Sequence, residues 1–218
     1  MSNDTVKYCN CMSQIRQRIG LVQSVLNGAV TTGQDAFDTE LIFVQFRKIL
    51  ELIAFSTLAA NREKYSSAYA NFAVHWRAKS MLEAVAKVNP NFYPVPLGPP
   101  ELLTNGVEQF TPLAEGYLSK DEFEFLYDRS SEILHERNPF ATKDPVIRIG
   151  YSAAQWMVRI QTLLGFHNVD LLDESKWIVA IPDEGPVRLW PTVLVDSADQ
   201  PKAVSVRGPS GVFFRGSD

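Results

Sequence analysis

One segment of this chain, residues 36 to 61, restricts the fold more than any other. It reads AFDTELIFVQFRKILELIAFSTLAAN, and Arg47, Lys48 and Glu51 are the only charged residues in its middle. This length and composition predict a helix, and a helix that is apolar on almost every side must be covered on almost every side. Other elements of the chain, or a second subunit, therefore have to surround it, which predicts a helical bundle.

Four further segments carry apolar residues at helical spacing, and each ends at a recognisable stop signal or begins at a capping residue. Asn27-Gly28 ends the first of them and Asn89-Pro90 ends the second. Ser119, with Glu122 three residues later, has the pattern of a capping box at the start of the third. The predicted helices span residues 5–27, 65–88, 119–135 and 152–166.

The segment between the second and third of these helices, residues 89 to 118, is rich in proline and glycine. Proline lacks a backbone donor and interrupts helices, so this segment predicts a long irregular connection. Connections of this length are unusual in a compact domain and tend to have a function or to cover another element. Its aromatic residues indicate that it packs against the rest of the chain.

The character of the sequence changes near its C-terminal end. The stretches KWIVAIP, VRLWPTVLV and AVSVR are rich in β-branched and aromatic residues and are separated by turn signals. They predict a small antiparallel meander. The fold class is therefore mainly α, with a helical domain at residues 1–168, which includes the Pro-rich loop 89–118, and a small β appendage at residues 169–218.

Composition removes several classes of function. The sequence contains no phosphate-binding loop, dinucleotide fingerprint or nucleophile elbow. The net charge of -4 neither indicates nor excludes RNA binding, which would need a local basic patch. Cys9 and Cys11 are predicted to be reduced thiols, and the three histidines lack the spacing of a metal site, so we expect no metal and no cofactor. Without an apolar run of membrane-spanning length, the expectation is a cytoplasmic protein with no membrane contact.

The stretch DRSSEILHERNPF, residues 128 to 140, places Arg129 six positions before His135. An imidazole can take the proton of an RNA 2′-hydroxyl as general base, and a guanidinium can hold the phosphoryl oxygens with two hydrogen bonds as negative charge develops. An Arg and a His at this spacing occur about 0.5 times by chance in such a chain. Spacing alone is therefore no proof of a site.

Helix geometry adds a condition, because residues six apart on a straight helix lie about 120° apart around its axis. Arg129 and His135 can converge if His135 lies where the helix is ending, or if a second chain supplies the complementary pair across a symmetric interface. Asn138-Pro139 favours the first condition, because the residue before a proline avoids helical geometry.

This stretch resembles the R-x(4–6)-H motif of the HEPN superfamily, whose members are small helical bundles and include metal-independent endoribonucleases and toxins. The resemblance includes Asp128 before the motif Arg, Leu134 before the His, the following ERNPF, and the earlier FRKILELIAFSTLAAN. It implies catalytic roles for Arg129 and His135, in a homodimer that lines one cleft with two motifs. The motif often has Asn, Asp or His after its Arg, where this chain has Ser130.

Several residues are expected to support that pair. Glu51 is a candidate to orient the motif Arg, and an ion pair with Arg47 at i, i+4 is the alternative for it. Glu132 lies one turn before His135 and favours its protonated form. The supporting residues are Glu51, Arg47, Ser130, Glu132 and Asn138.

Three functions follow as hypotheses. The first is a metal-independent endoribonuclease that cleaves single-stranded RNA to 2′,3′-cyclic phosphate and 5′-hydroxyl ends, as a toxin or phage-defence effector. The second is a non-catalytic HEPN module that dimerises or binds a nucleotide or RNA and acts through a partner protein, which would also serve as a regulator. The third is an enzyme on small phosphate compounds, with a pocket closed by the loop at residues 89–118.

Overall fold

The computed structural model describes residues 3–62, 78–102, 108–136, 140, 147–172, 175–195 and 203–206. Within these ranges the chain is mainly helical and has a small antiparallel sheet near its C-terminal end, as the sequence predicts. The helices of the described ranges are α1 (Asn3–Leu26), α2 (Asp35–Ala60), α3 (Ala78–Val88), α4 (Lys120–Leu134) and α5 (Ala153–Leu164).

Helix α2 is the apolar segment of the sequence, and it lies at the centre of the bundle. It packs against α1, α3 and α4, which confirms the prediction of a central helix. Phe46, Ile49, Leu50 and Ile53 are buried completely or almost completely. Burying a side chain of this size stabilises the fold by about 1.5–3 kcal/mol, so this helix contributes a large part of the core energy.

Capping residues set the starts of two helices. Ser119 accepts a hydrogen bond from the backbone N–H of Glu122, whose carboxylate accepts one from the Ser119 N–H, so the predicted capping box of α4 is confirmed. Ser152 and Gln155 form the same arrangement at α5. The helix predicted at residues 65–88 ends where α3 ends, at Val88, while residues 65–77 of that prediction lie outside the described residues.

The strands of the described ranges are β1 (Val95–Pro96), β2 (Glu101–Leu102), β3 (Glu108–Gln109), β4 (Phe166–Asp170), β5 (Lys176–Ala180), β6 (Arg188–Val195) and β7 (Ala203–Val206). Five of them form an antiparallel sheet in the order β1-β4-β5-β6-β7, and β2 pairs with β3 in a separate two-stranded sheet. The three predicted strands of the C-terminal meander are confirmed as β5, β6 and β7, whereas β4, which follows α5 directly, is not predicted from the sequence.

The sheet is joined to the helices by a shared core. Val169, Val179 and Leu189 belong to the same buried cluster as the helical core, and Tyr8 of α1 lies edge-on to Trp177 with ring centroids 5.5 Å apart. The expected boundary between residues 168 and 169 therefore falls inside β4, on a strand whose inner face packs on the helices.

The Pro-rich loop 89–118 is partly ordered into strands, which corrects the expectation of a wholly irregular connection. Its β1 extends the main sheet by pairing with β4, and its Phe92 is buried. The Tyr93 hydroxyl donates to the Leu118 carbonyl at 3.0 Å. Leu118 N–H also donates to the Arg159 carbonyl of α5 at 2.9 Å. The described parts of the loop are thus held against the sheet and the helices, as its aromatic residues predict.

Candidate functional site

His135 lies at the point where the motif helix stops. Helix α4 ends at Leu134, and His135 is its C-cap residue with an extended backbone, φ −88° and ψ 133°. Its side chain is exposed. The condition that His135 must lie where the helix is ending is therefore met, and the imidazole is accessible to a ligand.

Arg129 lies on α4, one and a half turns before that end, and its side chain is 30% exposed. Nη1 donates to the Glu132 carboxylate at 2.6 Å, and the guanidinium carbon lies 5.5 Å from the centre of the Phe125 ring. Nε is buried and has no hydrogen-bond partner among the described residues. A guanidinium with unused donors beside a single exposed carboxylate is able to exchange that carboxylate for another oxyanion.

Two of the supporting residues, Ser130 and Glu132, make their hydrogen bonds within α4. Ser130 is fully buried and donates to the Leu126 carbonyl at 2.7 Å, so it belongs to the core face of α4. Glu132 binds Arg129, a partner that differs from the expected His135. Asn138 lies outside the described residues, as does Pro139.

Glu51 and Arg47 form the ion pair that the sequence left open as an alternative. Arg47 Nε lies 3.2 Å from Glu51 Oε1, and Lys48 Nζ lies 3.1 Å from Glu51 Oε2. The carboxylate thus has Arg47 and Lys48 as its cationic partners in the described part of the chain, and Arg129 is not among them.

Arg47 also ties α2 to the motif helix. Its guanidinium carbon lies 3.6 Å from the centre of the Tyr127 ring, Nη2 donates to the Tyr127 hydroxyl at 2.5 Å, and Nη1 donates to the Ser131 hydroxyl. Tyr127 and Ser131 are four residues apart, and His135 follows after four more. Residues at this spacing lie within about 40° of each other around a helix, so one stripe of α4 runs from the Arg47 contact to His135.

The motif helix therefore carries two arginine contacts on different stripes. Arg129 and Glu132 lie on one, and Arg47, supplied by α2, meets Tyr127 and Ser131 on the other. The sequence reasoning missed Tyr127 and Ser131. Their spacing of four residues with His135 was visible in the sequence, although the contact with Arg47 depends on how α2 packs against α4.

His167 is a fully buried residue of β4. Its Nδ1 lies 2.8 Å from the Leu164 carbonyl, which can only accept, so Nδ1 carries the proton. Nε2 therefore accepts from the Tyr8 hydroxyl at 2.7 Å. Complete burial lowers the pKa of His167 to about 4 and raises the pKa of Tyr8 well above its ordinary value.

The two cysteines are free thiols, and burial raises the pKa of both, that of Cys11 to about 11. Within the described ranges, no three His, Cys, Asp or Glu side chains come together as a group able to hold a metal ion. In the same ranges, no helix has both the length and the apolar character that a membrane crossing requires.

No protein-family model, no curated protein and no solved structure matches this chain. The likeness to the HEPN superfamily is carried by the motif residues themselves, and it remains a prediction.

Proposed function

We propose that this protein is a metal-independent endoribonuclease of the HEPN type, acting on single-stranded RNA in the cytoplasm as a toxin or phage-defence effector. The observation that carries the proposal is the position of His135, which is exposed and extended immediately after the last residue of α4. A histidine at a helix end can turn towards a neighbouring stripe, and this is what the separation of Arg129 and His135 around a straight helix demands.

The reaction proceeds within the RNA. His135 takes the proton of the 2′-hydroxyl, and the resulting oxygen attacks the adjacent phosphorus to form the 2′,3′-cyclic phosphate. The bond to the 5′-oxygen breaks, and that oxygen takes up a proton to become the 5′-hydroxyl. Arg129 donates to the non-bridging oxygens, whose negative charge increases in the transition state.

A homodimer supplies the second proton carrier. Each active site needs one group that accepts a proton and another that donates one, and the chain offers a single exposed histidine among its described residues. Two motifs that face each other across a dyad would place one His135 on each side of the phosphate. The dimer is therefore part of the proposal, and light scattering at micromolar concentration should find it.

Glu132 regulates access to Arg129 in this scheme. Its carboxylate holds the guanidinium at 2.6 Å, and the phosphate has to take its place. The pair is partly exposed, at 30% and 43%, so the exchange costs about 1 kcal/mol or less.

The experiment is RNA cleavage in EDTA by the wild-type protein and by Arg129→Ala, His135→Ala and His135→Gln. Arg62→Ala is the matched control, because Arg62 also makes one partly exposed ion pair, with Asp4 at 2.9 Å. We expect each motif variant to lose about 100-fold or more of the activity and the control to retain it. Equal activity in all proteins, or activity that needs added metal, would contradict the proposal.

The second candidate is a non-catalytic HEPN module that binds RNA or a nucleotide and acts through a partner protein. It is favoured by the engagement of both arginines in contacts within the chain, Arg129 with Glu132 and Arg47 with Glu51, Tyr127 and Ser131. RNA binding that survives in His135→Ala, together with no cleavage by the wild-type protein, would select this candidate.

A further inference from the structure

A cavity of about 350 Å³ lies between the Pro-rich loop and the outer face of the sheet. The loop supplies residues 97–100 and Phe110, and the sheet supplies Phe166, Ile178 and Trp190 from three neighbouring strands. The cavity belongs to neither arginine contact described above.

The register of the sheet shows why these side chains meet. Ile178 of β5 is paired with Trp190 of β6 and with Asn168 of β4, and Phe166 lies two residues before Asn168. Side chains alternate between faces, so Phe166, Ile178 and Trp190 share one face while His167 and Val179 point into the core. The solvent face of an antiparallel sheet is usually polar, whereas this one carries three large apolar side chains.

The loop wall is fixed by its backbone. Leu97 N–H donates to the Phe166 carbonyl at 2.9 Å, Gly98 N–H donates to the Thr111 carbonyl at 2.8 Å, and Leu113 N–H donates to the Pro96 carbonyl at 2.9 Å. Pro99 and Pro100 have no N–H to offer. The wall therefore holds its shape and leaves few backbone donors for a polar ligand.

The lining decides what the cavity can bind. Among its described residues there is no charged side chain, and the rings of Phe110 and Phe166 are tilted against each other with centroids 4.8 Å apart. A phosphate or carboxylate would lose its hydration here without a cationic partner, which is strongly unfavourable. The cavity thus does not fit the small phosphate substrate that the sequence left open for this loop.

We propose that this cavity binds a small, uncharged and mainly aromatic molecule. Its volume lies near the lower limit of sites for small organic ligands, which are about 300–1,000 Å³. Aromatic walls favour a flat ring by offset or edge-to-face contact, and Trp190 has the largest ring among them. The inference is independent of any activity on RNA.

The test uses N-phenyl-1-naphthylamine, an uncharged probe that fluoresces in apolar surroundings, titrated into the full chain. We expect saturable binding with one site per chain. Ile178→Trp fills the cavity from the sheet and should weaken binding by about tenfold or more, because the probe and the new ring compete for one volume. Val158→Trp adds the same ring on an exposed position of α5 and should leave the affinity within about twofold.

A second filled variant and a charged probe provide two further tests of the proposal. Leu97→Trp enlarges a lining residue on the loop side of the cavity, so it is the variant to use if Ile178→Trp fails to fold. The sulfonated analogue 8-anilino-1-naphthalenesulfonate should bind about tenfold more weakly, since the described lining residues include no cation to pair with its sulfonate. Non-saturable binding, equal affinity in the filled variants, or equal affinity for the two probes would overturn the proposal.

Discussion

Acid destabilisation of this protein should depend strongly on His167. The folded protein holds this histidine neutral between the Leu164 carbonyl and the Tyr8 hydroxyl, and complete burial lowers its pKa from 6.5 to about 4. Protonation would leave a buried cation and would turn the acceptor Nε2 into a second donor facing the hydroxyl. The unfolded chain therefore takes up this proton at a higher pH than the folded chain.

The sign and size of the effect follow from that difference. Where the unfolded state binds more protons, stability rises with pH, so this contribution is complete above about pH 6.5 and is lost as the pH falls towards about 4. The gap between a pKa of 6.5 and one of about 4 corresponds to about 3 kcal/mol in total. Between about pH 7.5 and pH 5 the expected loss is about 2 kcal/mol.

Urea unfolding at a series of pH values measures this loss directly. His167→Gln keeps an oxygen that can accept from Tyr8 but cannot titrate, so its free energy of unfolding should fall by about 2 kcal/mol less than that of the wild type over this range. Tyr8→Phe is the control. Its free energy of unfolding should be about 1–3 kcal/mol lower at neutral pH, and it should still decrease with acid because His167 is retained. Parallel pH curves for wild type and His167→Gln would refute the reasoning.

Other predictions concern the motif helix. Arg47→Ala should lower the free energy of unfolding by about 1–3 kcal/mol in urea titrations, because its half-buried guanidinium joins α2 to α4; a change within about 0.5 kcal/mol would contradict this. Arg129→Ala should cost less than about 1 kcal/mol in the same assay, since its ion pair is partly exposed. Ser119→Ala should lower the free energy of unfolding by about 1 kcal/mol because α4 loses its N-cap hydrogen bond, and an unchanged free energy would contradict a role for the capping box. Glu132→Gln should tighten RNA binding at low salt in fluorescence anisotropy, and unchanged or weaker binding would argue against an RNA phosphate at Arg129.

Local signals predicted the helices well. The apolar segment at residues 36–61, the Ser119 capping box and the Asn27-Gly28 stop are all encoded within a few residues, and they set α2, the start of α4 and the end of α1. The sequence predicts the end of α5 two residues too late, because Phe166 continues the apolar run of the helix. Only pairing with β5 and β1 makes FHNVD a strand.

In the candidate site, too, local sequence signals predict the contacts within one helix but not the contacts between helices. Arg129 and Glu132 are three positions apart in the sequence, so helix periodicity alone predicts that their side chains can meet. The contacts of Arg47 with Tyr127 and Ser131 join residues 80 and 84 positions apart, so they follow from the packing of α2 on α4. Burial of Ser130 likewise depends on which face of α4 meets the core.

The end groups of RNA treated with this protein in EDTA test the proposed function most directly. A labelled single-stranded RNA should be cut by the wild-type protein into fragments with 2′,3′-cyclic phosphate and 5′-hydroxyl ends, and His135→Ala, folded to the same extent, should yield none of them. Uncut RNA with the wild-type protein, fragments with 3′-hydroxyl ends, or the same cyclic ends from His135→Ala would contradict the assignment of Arg129 and His135 as a nuclease site.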